Sequence, residues 1–182
     1  TEQERDVRYR VREFMRTEVE PIINGYWERA EMPMELIPKL VTLGITGGQI
    51  FGYGCPGLSN VAMGMIAMEL ARGDASVSTL FGVHSGLAML SIALLGSEDQ
   101  RQQYLPKMAR WETIGCFGLT EARGGSDASH PETTAKRVGD AWVLNGNKRW
   151  IGLAAHADFC IVWAKNEETG KVNGFIVPTD TP

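Results

Sequence analysis

The densest group of residues able to do chemistry is LTEARGGSD, Leu119 to Asp127. It breaks the apolar run IGCFGLT with an acid, a base, two glycines, a hydroxyl and a second acid. Gly124 and Gly125 leave backbone N–H groups uncovered. With the hydroxyls of Thr120 and Ser126 and the cation of Arg123, these can cradle an anion or the polar edge of a ring. The same residues also suit a glycine-rich turn in which Ser126 and Asp127 make a local side-chain turn. Glu121 and Asp127 do not read as an acid/base pair, because alternation along a strand and turn gives no reason for them to converge. No catalytic residue is assigned.

A second group is NGNKRWIG, Asn145 to Gly152. Asn145-Gly146 is a hairpin dipeptide, so Trp150 is expected to open the return strand, between the charged pair Lys148 and Arg149 and the bare backbone of Gly152. A large flat side chain beside a residue without one can form a slot for a planar ligand; it can equally cover a sheet. GYGCPG, Gly52 to Gly57, satisfies the G-x-G-x-x-G expression for dinucleotide binding, but lies between helical segments rather than inside a βαβ unit. It is read as a flexible loop.

Other chemistries are disfavoured. Cys55, Cys116 and Cys160 are odd in number and widely spaced, which argues against a disulfide framework or zinc knuckle and for a reducing intracellular compartment. His84, His130 and His156 share no helical i, i+4 pairing, and no metal is expected. A net charge of −4 without a basic cluster disfavours nucleic acid and anionic lipid as partners.

The elements that must position these groups fall into two parts. Val7, Val11, Phe14 and Met15 give an opening helix an apolar face, with a stop expected near Pro21. Met34 to Leu43, Leu58 to Arg72 and Asp74 to Leu95 follow as helices. Ala75 to Gly96 carries no charged residue and is long enough for a membrane span. Its many serines and glycines, with Leu80, Val83, Leu87, Leu90 and Leu94 at helical spacing, favour a buried helix instead. Gly96 ends it, and Ser97 to Gln100, SEDQ, is a capping box starting a helix toward Arg110.

From Ile114 the period changes to short apolar runs: Ile114 to Leu119, Trp142 to Leu144, Phe159 to Trp163 and Phe175 to Val177. Helices first and strands after predict an α+β chain, a helical bundle over 1–112 and an antiparallel, barrel-like β domain over 113–182. Because the sequence stops at Pro182 directly after a strand signal, lost strands and a longer protein are expected.

Together these stretches resemble the acyl-CoA dehydrogenase and acyl-CoA oxidase family of flavoproteins, over nearly the whole chain. CFGLTEARGGSD is similar to the family's first flavin segment; TTAK at Thr133, NGNKRWI at Asn145 and GSEDQRQQYLP at Gly96 follow its later and flanking elements. GITGGQIFGYGCPGLS, Gly44 to Ser59, and Trp150 to Gly152 are most similar to short-chain acyl-CoA oxidases and the glutaryl-CoA dehydrogenase branch.

The resemblance implies a C-terminal helical domain not contained in these residues, FAD as cofactor, and α,β-desaturation of an acyl-CoA thioester by a carboxylate from that missing domain. Electrons would pass to an electron-transfer flavoprotein or oxygen, and the full-length protein would be a homo-oligomer, a tetramer. It implies flavin contacts from Phe117, Leu119, Thr120, Gly125 and Ser126 on one side and Trp150, Ile151 and Gly152 on the other. Ser126 would also lie near the acyl-CoA, and His84, otherwise a core histidine, becomes a substrate-pocket candidate. Ala122 stands where the family has a proline. Gly152 stands where most dehydrogenases carry a flavin-contacting threonine, which fits an oxidase-like environment. The competing expectation is a catalytically incomplete flavin or acyl-CoA binding module on the same scaffold.

Overall fold

The computed structural model describes residues 1–181, and the chain divides into two compact units, one ending at Thr113 and the other beginning at Ile114. The first unit is helical. Helix α1, Glu2–Phe14, opens with a capping box in which the Thr1 hydroxyl accepts from the Glu4 backbone and Glu4 reaches back to the chain terminus. Val7, Val11 and Phe14 recur at helical spacing and are all buried. The helix does not stop near Pro21. It passes through a π-helical turn, Met15–Val19, into α2, Glu20–Arg29, where Pro21 occupies the first turn. The wider turn shifts the hydrogen-bond register there, so the missing proline N–H leaves no partner unsatisfied.

A 3-10 turn at Met34–Leu36 leads into α3, Ile37–Thr42. Next, β1, Phe51–Gly52, and β2, Cys55–Pro56, form a small antiparallel ladder, so GYGCPG is a tight hairpin rather than a flexible loop. Its tip is set by the positive φ of Gly52, Tyr53 and Gly54, and the Tyr53 hydroxyl donates to Glu98 at 2.9 Å. Helix α4, Asn60–Gly73, is capped by Ser59. The long apolar stretch Ala75–Leu95 is one continuous rod, α5, Ala75–Phe81, a π-helical segment, Gly82–Ala88, and α6, Met89–Leu95. Its length and composition would suffice to cross a membrane. Here Val77, Leu80, Phe81, Ala88, Met89 and Ile92 are buried in the core of the unit. Helix α7, Glu98–Ala109, starts from the Ser97/Gln100 capping box.

Buried carboxylates fasten these helices. Glu69 of α4 is 2% exposed and receives the Arg8 guanidinium at 2.8 Å and that of Arg12 at 2.7 Å, so α1 is clamped to α4. The Arg12 hydrogen bond, against the opposing effect of burial and aided by Arg8, holds the Glu69 carboxyl down at about 2. Asp74 caps α5 through the Val77 N–H and accepts from the Trp27 indole at 3.0 Å. Gly73 permits the close approach, since a Cβ there would meet Met15 Cε at 2.6 Å and Met15 Cβ at 2.8 Å.

The second unit is one five-stranded sheet: β3, Gly115–Gly118; β4, Thr134–Val138; β5, Ala141–Asn145; β6, Phe159–Asn166; β7, Val172–Pro178. It is mixed rather than wholly antiparallel. β4 with β5 and β6 with β7 are antiparallel, whereas β3 and β4 both run parallel to β6. The long connections 119–133 and 146–158 allow these parallel returns. β7 occupies one edge of β6 from Phe159 to Lys165. On the other edge β3 takes Phe159 to Val162, and β4 takes Lys165 and Asn166.

The hairpin turn is at Gly139-Asp140, between Val138 and Ala141, not at Asn145-Gly146. Gly146 instead passes directly over Thr133, where an added Cβ would lie 2.4 Å from the Thr133 hydroxyl oxygen and 2.6 Å from its Cα. Asn145 ends β5, paired with Thr134, and Trp150 therefore sits in a loop rather than a return strand.

Glu69→Gln keeps the side-chain volume and removes the charge shared by Arg8 and Arg12. The variant should lose about 2 kcal/mol of unfolding free energy, a value reduced for the partial exposure of both arginines. Urea denaturation followed by helical circular dichroism measures it, and an unchanged midpoint would show that the cluster does not stabilise the bundle.

Candidate functional site

The two sequence groups meet in the sheet unit. β3 ends at Gly118, and the chain continues as Leu119, Thr120 and Glu121 into an irregular loop. Two bonds lay the 148–149 segment along it: Lys148 Nζ donates to the Leu119 carbonyl at 3.0 Å, and the Arg149 N–H donates to the Thr120 carbonyl at 2.8 Å. Trp150, the next residue, is thereby held beside the Leu119–Thr120 backbone.

Glu121 locks this arrangement. Its carboxylate is 6% exposed and accepts from Lys148 Nζ at 2.7 Å, the Glu132 N–H at 2.6 Å, the Thr133 N–H at 3.0 Å and the Thr133 hydroxyl. Burial works to raise its carboxyl. The Lys148 ammonium, then the Thr133 hydroxyl and the backbone N–H groups of Thr133 and Glu132, outweigh burial and lower it to about 2. A buried anion held by four donors from three residues acts as a brace. Asp127 is likewise occupied within its own turn, accepting from Ser129 at 2.8 Å and facing His130 Nδ1 at 2.9 Å.

Trp150 is 79% exposed, lies at φ +61, and carries the Arg149 guanidinium 4.6 Å from its ring centre. Leu153 has φ +64. Two bulky residues in the left-handed region within four positions make a strained loop, and such strain persists only where its surroundings enforce it. Ile151 and Gly152 between them are half-buried. On the facing segment Leu119 and Thr120 are half-buried, whereas Gly125 and Ser126 are exposed farther along the loop. A Cβ at Gly125 would meet nothing within 4 Å, so its backbone is open to a ligand. Phe117 turns toward Trp163, ring centres 5.8 Å apart.

The arrangement offers an exposed indole, open glycine backbone, two hydroxyls at Thr120 and Ser126, and a cationic fringe of Arg123 and Arg149. Those are the means to hold a flat heteroaromatic ring with a polar edge and an anionic tail. Sequence reasoning passed over Lys148 and Thr133, because their partner Glu121 lies 27 and 12 positions away in the chain. The one available signal was a lysine between a glycine turn and an apolar stretch.

His84 lies in the helical unit. It is 0% exposed, its Nε2 is 3.0 Å from the Met108 carbonyl, and its ring lies 4.0 Å from that of Trp111. It is buried in the core of the helical unit. Trp111, at φ +57, donates its indole N–H to Thr46 at 2.9 Å, and the Gly47 N–H donates to Ser85 at 2.8 Å. The π-helical segment and the 44–48 turn are fixed together in this way.

Comparison with known proteins places both units among related sequences and folds. Residues 1–112 match the profile of the acyl-CoA dehydrogenase N-terminal domain, and residues 116–182 that of its middle domain. The mitochondrial short-chain specific acyl-CoA dehydrogenase of Rattus norvegicus is 32% identical over 97% of this chain and 44% of its own. Glutaryl-CoA dehydrogenase from Mycobacterium smegmatis, solved in complex with FADH2, superposes with a TM-score of 0.95 at 41% identity, covering 100% of this chain and 47% of that one. Acyl-CoA dehydrogenase from Bacillus anthracis, solved with FAD, gives 0.89 at 33% identity over 99% of this chain and 31% of its own. The chain thus spans less than half the length of each.

The Glu121 brace has a pH signature. Its folded carboxyl lies near 2 against an ordinary 4.5, so its contribution is complete above about pH 4.5 and is lost as the pH falls toward about 2. Wild-type stability should fall through that window. In Glu121→Gln that part of the decline should be absent from a starting point several kcal/mol lower. Parallel urea titrations at stepped pH test this, and equally steep acid profiles for both proteins would refute it.

Proposed function

Since the chain belongs to the acyl-CoA dehydrogenase family, we propose that it contributes the helical and sheet parts of an enzyme that desaturates an acyl-CoA thioester between the α and β carbons, with FAD as cofactor. The observation that carries the reading is the joining of Leu119–Thr120 to Lys148–Arg149 through Glu121, the Lys148 ammonium on the Leu119 carbonyl and the Arg149 N–H on the Thr120 carbonyl. That joining sets Trp150 beside the first flavin-like segment. The flavin-bearing relatives of Mycobacterium smegmatis and Bacillus anthracis support it.

In this reading Leu119, Thr120, Gly125 and Ser126 supply main-chain and hydroxyl contacts along one side of the ring system. Trp150, Ile151 and Gly152 form the opposite wall, and Phe117 backs the strand beneath. Ser126 also lies toward the thioester. Bound FAD would supply the acceptor for the hydrogen leaving the β-carbon. The residues of this chain orient the ring, exclude water from one of its faces and present fixed dipoles to its polar edge. The acid that removes the α-proton is proposed to come from outside these 182 residues, because Glu121 and Asp127 are both engaged. Gly152 leaves room beside the ring, which favours oxygen as well as an electron-transfer flavoprotein as acceptor.

Purified protein containing this chain should show a flavin spectrum that bleaches on adding a short acyl-CoA. Retained colour without bleaching would favour a binding module instead. Trp150→Ala should weaken flavin binding about tenfold, the loss of one stacked aromatic wall; unchanged flavin affinity would remove Trp150 from the seat. Stopped-flow reoxidation of the reduced protein separates the acceptors. Fast reaction with oxygen supports the role given to Gly152, and turnover only with the electron-transfer flavoprotein refutes it.

A further inference from the structure

Cys116 and Cys160 have no part in the reading above. They are direct register partners on the parallel strands β3 and β6. Adjacent strands lie about 4.8 Å apart, inside the Cα separation of about 4.4–6.8 Å that a disulfide spans. Paired residues of neighbouring strands point to the same face, so the two sulfurs project together. Gly118, two positions on, keeps that face clear, since a Cβ there would lie 3.0 Å from Cys160 Sγ and 3.6 Å from Lys148 Cγ.

We infer that Cys116 and Cys160 are a reversible dithiol modification site, which hydrogen peroxide converts to a disulfide cross-linking β3 to β6. The chemistry of the pair is unequal in the sense this requires. The Cys160 thiol hydrogen-bonds the Cys116 sulfur and lowers Cys116 below the ordinary thiol range against the effect of burial. The same bond, with burial, pushes Cys160 up. Cys116 is therefore the more readily deprotonated of the two thiols and is assigned the first attack. Cys116 is 1% exposed, but Cys160 is only partly buried and gives a small oxidant its approach. Cys55, a lone thiol that burial pushes up to about 11, lacks both partner and activation.

The balance closes with peroxide alone. The Cys116 thiolate attacks one peroxide oxygen, the O–O bond breaks, and the departing hydroxide takes up a proton as water. The resulting sulfenic sulfur is attacked by Cys160, whose proton leaves with the hydroxyl as a second water while the S–S bond forms. Two thiols are oxidised and one peroxide is reduced.

The experiment treats the native protein with stoichiometric hydrogen peroxide, alkylates remaining thiols in denaturant, and maps the peptides by mass spectrometry. The expected product is a peptide pair joining Cys116 to Cys160, lighter by two hydrogens, absent when the protein is treated in urea and released by dithiothreitol, with Cys55 still alkylated. Retention of both thiols after treatment overturns the inference, as does sulfinic acid on either cysteine without the cross-link or equal cross-linking in urea. A Cys160→Ser variant adds a second measure. Its Cys116 should be trapped by dimedone as sulfenic acid, and failure to label a folded variant would assign the first attack elsewhere and overturn the sequence of steps.

Discussion

A buried carboxylate needs a full set of donors, and satisfying Glu121 organises the sheet unit around the end of β3. Its oxygens draw together the Lys148 ammonium, the start of β4 at Thr133 and the preceding Glu132 N–H. Lys148 in turn reaches the Leu119 carbonyl. Stretches distant in sequence are thus joined by one charge and its partners. Removing either member of such a pair leaves the other buried and uncompensated, which costs far more than the pair contributes over an apolar substitute. Specificity of arrangement, more than stability, is what the Glu121–Lys148 pair confers on this loop.

The helical unit uses the same physical device for a different end. Glu69 and Asp74, both buried, answer to Arg8, Arg12 and Trp27 and fix the approach of α1 and α2 to the corner between α4 and α5. Here the carboxylates hold helices at set separations, with Gly73 giving Met15 the space to close in. In both units the acids that catch the eye in the sequence have structural duties.

What could be read from the sequence was whatever depends on near neighbours. The Ser97/Gln100 capping box, the buried faces at Val7, Val11 and Phe14, and the change from helical to strand period after Trp111 are all local in origin. The run LTEARGGSD was legible as a polar, glycine-rich break after a strand for the same reason. What was not legible depends on distant contacts. Pro21 stays inside a helix because a π-helical turn precedes it. Asn145-Gly146 is no hairpin because β4 and β5 already turn at Gly139-Asp140, which leaves Asn145 at the far end of the ladder, paired with Thr134. The parallel pairing of β3 and β4 with β6 follows from long connections whose course no periodicity encodes.

The shared edge of β6 has a consequence for how this protein can change. Gly118 is paired with Val162, and Thr134 with Lys165, so both ends of the 119–133 excursion are anchored three positions apart on one strand. At about 3.3 Å per residue that is roughly 10 Å. The sheet closes the loop at its base, and lengthening a loop already closed adds little further entropy cost. Residues within it can therefore be exchanged, inserted or lost with small effect on whether the unit folds, provided Glu121 and its partners stay. This loop is thus the part of the sheet unit that mutation can explore most freely.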